Sequence, residues 1–210
     1  LSQANLSGVN LSQQLWPDIS LSRAGLRGAN LSGADLDQLD LSGADLRGAD
    51  LTGANLRGAS LHEAVLDATT RLDPKWRLVW ELVNQGGRNR NLAAVDLKEA
   101  NLWGSDLRGA NLSQAQLERA VLSQARLQGA DLSGAILNEV DLQGANLSQA
   151  NLSQAQCRWA DFRRATLSEA DFSRADARGA WFSQAEVSGI KLAGTQLMGA
   201  IMPDGARVPE

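Results

Sequence analysis

The sequence predicts a solenoid, a chain that bends once every five residues around an apolar interior. Three regularities predict it. A leucine returns every fifth residue, from Leu1 to Leu66 and again from Leu92 to Leu152 and beyond. Two places before each leucine stands a small residue, as at Ala24, Ala29, Ala34, Ala110 and Ala130. One place before it stands Asp or Asn (Asn30, Asp35, Asp45, Asn111, Asp131), and glycine often follows two places after (Gly28, Gly33, Gly43, Gly109, Gly129).

Neither regular element buries such a pattern while straight. On an α-helix, five residues at about 100° each leave successive leucines about 140° apart around the axis. In a straight strand, successive leucines would point to opposite faces. A bend in every pentad keeps them all on one side. The other positions supply the bend, since Asp and Asn side chains hydrogen-bond nearby backbone and glycine accepts a positive φ.

The unit is therefore Ala-(Asp/Asn)-Leu-(Ser/Arg/Gln)-(Gly/Gln), and it closely resembles the pentapeptide-repeat family over most of the chain. That resemblance implies an all-β fold, a right-handed quadrilateral parallel β-helix with four pentads per coil. On that basis the repeats make about nine coils, a rod about 43 Å long at roughly 4.8 Å per coil. The phrases Leu72-Asp73-Pro74-Lys75-Trp76-Arg77 and Met202-Pro203-Asp204-Gly205 look like those of cyanobacterial members.

In chain order, residues 1–68 form the first run of coils. The stretch Ser12–Ile19 strains it: Trp16 takes a leucine position, Gln14 an alanine position, and Pro17 follows, which predicts a widened coil or small loop. Residues 69–89 interrupt the repeat, and the grid slips by one between Leu66 and Leu92. This insert reads as a helix, with Asp73 as cap, Pro74 in the first turn and Gly86-Gly87 as the stop. Trp76, Val79, Trp80 and Val83 share one face, widened by Leu78 and Leu82. Such a helix either packs on an outer wall or protrudes as a docking element with Trp76 and Trp80 as anchors.

Residues 90–202 form the second run. There Cys157, Phe162, Phe172, Ala177, Phe182, Val187 and Met202 replace leucine on the grid and are expected inside. Residues 203–210 form a tail that ends the coiling, leaving Met198 and Ile201 to be covered by the tail or by a partner subunit. The whole is expected to be one structural domain, monomeric or an end-to-end homodimer.

Composition narrows the function. The chain has 210 residues, a net charge of −4, one Cys, one His, no Tyr and four Pro. No apolar run is long enough for a membrane span, so no membrane insertion is expected. The cytoplasm is the expected compartment. The chain begins on Leu1 rather than Met, so the thylakoid lumen or periplasm is the alternative, reached through a removed N-terminal signal. His62 is expected on the surface and Cys157 in the core, and neither belongs to a catalytic pattern. No catalytic residue, cofactor or metal site is expected. Asn-Leu-Ser triplets such as Asn5 and Asn30 arise from the repeat itself and carry no glycosylation signal.

The reading is a non-catalytic protein-binding or scaffold protein with an unknown protein partner. The family supplies an alternative, a DNA mimic that modulates DNA gyrase or topoisomerase, which needs a continuous acidic face. Asp35, Asp40, Asp45 and Asp50 instead fall on four different walls. A wall of the second run mixes Asp96, Glu99, Glu118, Glu139 and Asp176 with Lys98, Arg119, Arg158 and Arg178. Scattered arginines and a negative net charge also argue against nucleic acid as a partner. The candidate partner-binding residues are Trp76 and Trp80 on the insert, and Trp103, Trp181, Arg163 and Arg164 on one wall of the second run. Trp159 is a further outward aromatic.

Overall fold

The described regular repeats turn their corners in the same way. The computed structural model, which describes residues 1–16 and 19–209, shows the amide of each small residue bonded to the carbonyl of the leucine three places earlier, as Ala24 to Leu21 at 3.0 Å and Ala110 to Leu107 at 3.1 Å. The residue between them with positive φ is glycine at many corners (Gly129, φ 64°) and Gln, Arg or Glu at others (Gln114, φ 57°). That is the turn geometry in which position i+2 favours glycine.

The Asp or Asn before the leucine braces the corner. Its side-chain oxygen accepts the amide two residues on, as Ser32 to Asn30 at 3.0 Å and Ser133 to Asp131 at 3.0 Å. Arginine just after the inward residue also donates to that carboxylate, as Arg108 after Leu107 to Asp106 and Arg178 after Ala177 to Asp176.

Four corners close a coil. Parallel bridges join each residue before a leucine to its counterpart twenty residues later, such as Asp45↔Val65 and Asp131↔Asn151. This is the right-handed quadrilateral β-helix. Leucine and alanine both point inward: Leu31, Ala34, Leu132 and Ala135 are fully buried. Full burial of each leucine contributes roughly 1.5–3 kcal/mol.

The chain divides into two units, Leu1–Asn84 and Gln85–Glu210. In the first, Leu15 still pairs with Asp35, and Ser20 with Asp40, on either side of the Trp16 irregularity. Pro17 and Asp18, where a widened coil or loop is expected, lie outside the described residues.

The register changes at one residue. Asp50 pairs with Arg71, twenty-one residues on, so one extra residue has entered. Thr70 is buried there, and its hydroxyl donates to the Leu46 carbonyl at 3.0 Å. Leu72 is thereby already in phase with Leu92.

Helix α1 follows, Pro74–Asn84. Its buried residues are Trp76, Val79 and Leu82. The expected stripe is thus shifted slightly: Leu82 is fully buried, while Trp80 and Val83 are half-buried. The helix lies against the last coil of its own unit and replaces the peptide groups that a further coil would bring. Asn84 accepts the Glu63 amide at 2.6 Å and donates to the Leu61 carbonyl at 3.0 Å. The Trp80 indole donates to the Ala64 carbonyl at 2.7 Å, and Arg77 to the Thr70 carbonyl at 2.6 Å. Helix α1 therefore covers a sheet edge that would otherwise carry unpaired polar groups.

In the second unit the three phenylalanines fill the interior. Phe162 and Phe182 stack with centroids 5.1 Å apart, and Phe172 meets both edge-on at 5.4 and 5.9 Å. Ala177 falls between Phe172 and Phe182 on the grid, where rings already occupy the core. The tail folds back as an antiparallel turn: Ile201 pairs with Arg207, and Gly199 and Ala200 bond to Val208. It half-covers Ile201 and leaves Met198 exposed.

Candidate partner-binding surface

The two insert tryptophans have their apolar surface engaged. Trp76 is buried and Trp80 is half-buried with its N–H bonded to Ala64. They act as the packed side of a cover, and the outward residues of interest lie in the second unit.

There the outward column Asn101, Val121, Asp141, Asp161, Trp181 and Ile201 runs up one wall. Trp181 is 42% exposed. The Arg163 guanidinium sits 4.9 Å from its ring centre, a cation–π contact. Arg163 also clamps Asp161 through Nε and Nη2, which fixes its orientation. Arg164, at the next corner position, donates to the Gln184 side chain at 3.0 Å. Of the residues expected to share this wall, the structure brings Trp181 and Arg163 together, with Arg164 beside them. Trp103, 52% exposed, lies three coils before Arg163 in the same corner column, about 14 Å away at the usual strand spacing.

Trp159 is a neighbour that sequence grouping misses. It occupies the corner at the other edge of this wall and is 61% exposed, with φ 59°. Its ring lies across Gly179 in the next coil, where any Cβ would overlap it. Arg158, Arg178, Met198 and Arg207 surround it in a shallow groove of about 380 Å³. Arg158 and Arg178 both reach Asp176, at 2.6 and 2.8 Å, and these hydrogen bonds hold that carboxyl well below the usual range, Arg178 contributing most. The readable signal is a spacing: tryptophan followed by glycine twenty residues later leaves room for the ring.

The earlier coils of the adjoining wall pair each of their cations with a carboxylate. Lys98 pairs with Glu118 at 3.2 Å and Arg119 with Glu139 at 3.0 Å. Among the described residues no group of three or more His, Cys, Asp or Glu could hold a metal ion. His62 is exposed. Cys157 is buried, and burial pushes its thiol pKa well above the usual range, which holds it as an unreactive thiol. Among the described residues no helix is long and apolar enough to cross a membrane.

Comparison with known proteins matches this architecture. The family model described as pentapeptide repeats matches residues 4–43, 40–69, 91–124, 115–154 and 155–194. The chain belongs to the pentapeptide-repeat family. Among solved structures it is similar to HetL, a pentapeptide repeat protein involved in heterocyst differentiation regulation in the cyanobacterium Nostoc sp. strain PCC 7120. The identity is 34% over 99% of this chain and 86% of that one, with a TM-score of 0.43. Rfr23 from the cyanobacterium Cyanothece 51142 is 30% identical over 53% of this chain and 83% of that one, TM-score 0.40. QnrB1, a plasmid-mediated fluoroquinolone resistance protein, is 16% identical over 96% of this chain and 92% of that one, TM-score 0.32. No curated protein matches the chain.

Proposed function

We propose that this pentapeptide-repeat protein is a non-catalytic scaffold that binds a protein partner through the outer wall of its second unit. The observation that carries this reading is Trp181 held in contact with Arg163 on a rigid wall, with Trp159 at the wall's other edge. Tryptophan and arginine are enriched in binding hot spots, tryptophan for its large rigid contact area and arginine for its planar, multiply donating guanidinium. The corners and the Asp161 clamp orient both in advance, which lowers the cost of ordering them on binding.

Lys98 and Arg119, interleaved with the carboxylates of one wall, speak against a DNA mimic. The test is a pull-down from lysate with wild-type protein, Trp181→Ala and Arg163→Ala, run beside a gyrase supercoiling assay. The reading expects a partner retained by the wild type, lost by both variants at unchanged thermal midpoint, and no effect on supercoiling. Capture indifferent to both substitutions, or inhibition of gyrase, contradicts it.

A further inference from the structure

Trp159 sits at a position where the other described corners carry no aromatic side chain. The corner position with positive φ is filled by Gly, Gln, Arg, Glu, Asn or Ala at the other described corners, and Trp159 is the one aromatic among them. The next two coils place Gly179 and Gly199 at the same corner. A bulky side chain in the left-handed region is strained by roughly 1–2 kcal/mol. Burial would offset this, yet Trp159 is more exposed than any other tryptophan described. Its ring lies beside an exposed methionine, Met198, and the cations of Arg158, Arg178 and Arg207. Asp176 is the carboxylate paired with two of them. Arg158 and Arg178 outnumber the one carboxylate they share, in a chain with net charge −4. The left-handed backbone is common to the non-glycine corners, so what sets Trp159 apart is a large aromatic ring left exposed.

We infer that the groove of Trp159, Met198, Arg158, Arg178 and Arg207 is a docking site for an acidic, extended protein segment that lays an apolar side chain on the indole and carboxylates on the arginines. This deepens the protein-binding reading and rests on it. Charge complementarity selects the occupant. A single-stranded nucleic acid also stacks on tryptophan, but it needs a longer cationic track. Here the basic residues span about three coils, and in the preceding coils of the same corner Glu118 and Glu139 pair with Lys98 and Arg119 and end the cationic track.

The test is fluorescence anisotropy with the full chain and a fluorescein-labelled peptide of glutamates around one central phenylalanine. Saturable binding is expected, weakened at least tenfold by Trp159→Gln and by Arg178→Glu, reduced by added salt, and absent when lysine replaces each glutamate. Gln is a residue this corner already accepts elsewhere, as at Gln114 and Gln154, so Trp159→Gln keeps the fold. Continued protection of Cys157 from a thiol reagent verifies it. The inference is overturned by absence of saturable binding, by equal binding to Trp159→Gln, or by tighter binding of a single-stranded oligodeoxynucleotide of equal charge. Self-association of the wild type that Arg178→Glu abolishes would give the groove to a second copy and also overturn it. Partner capture that survives Trp159→Gln but not Trp181→Ala removes this site and leaves the broader reading standing.

Discussion

At Gly129, φ is 64°, and nothing lies within 4 Å of the place a Cβ would take. Space is therefore no obstacle to a side chain, and only backbone strain opposes one. Gly129→Ala is predicted to lose about 1 kcal/mol in chemical denaturation. A loss above about 3 kcal/mol would mean that the corner is held by contacts rather than by its dihedral. Cys157 separates packing from reactivity in the same direct way. Buried on the leucine grid with its thiol pKa raised, it should stay unlabelled in the native protein and react once the chain unfolds. The inward assignment of such residues was legible in the sequence because the period assigns an inside to each pentad. The surroundings of Trp159 were not, because they depend on Gly179, Met198 and Arg207 arriving from later coils and the tail.

Helix α1 exchanges one kind of polar satisfaction for another. The coil edge at Leu61–Ala64 meets side-chain amide and indole groups instead of a neighbouring backbone. Trp80→Phe keeps most of the apolar contact and leaves the Ala64 carbonyl without its indole donor. A destabilisation of about 1–3 kcal/mol is predicted, read by the denaturation midpoint. A neutral result would show that water replaces the indole. The helix, its cap region and its glycine stop were readable from Asp73, Pro74 and Gly86. The point of slippage was not. Thr70 looks like an insert residue in sequence, and only its hydroxyl on Leu46 and the pairing of Asp50 with Arg71 show that the register changes there.

Across the whole molecule, stability is repeated rather than centralised, so each coil depends on its neighbours. Leu132→Asp buries a charge between coils and should abolish cooperative unfolding of the second unit, whereas Leu132→Ala should cost about 2–5 kcal/mol. The corner carboxylates add a pH dependence. Arg108 beside Asp106, and Thr69 beside Asp67, hold those carboxyls at about 2, below the value of 3.8 expected without these contacts. A lowered folded-state pKa gives stability that is fully present above about pH 4 and lost as pH falls toward 2. The thermal midpoint is therefore predicted to be flat near neutrality and to decline below pH 4. A midpoint that rises on acidification would contradict these clamps. The four-sided architecture was legible through the family resemblance, since a five-residue period alone does not say how many bends close a coil. The grouping on the outer wall was legible only in part: Trp181 meets Arg163, while Trp103 stands three coils away.

The leucine grid makes the fold, and Trp159 is kept for something else. The thermal midpoint of Trp159→Gly tests it most directly. Glycine relieves the left-handed backbone, and the lost ring was largely exposed. The account predicts a midpoint equal to or above that of the wild type. A fall comparable to that of a core Leu→Ala substitution would make Trp159 a structural residue and contradict the account.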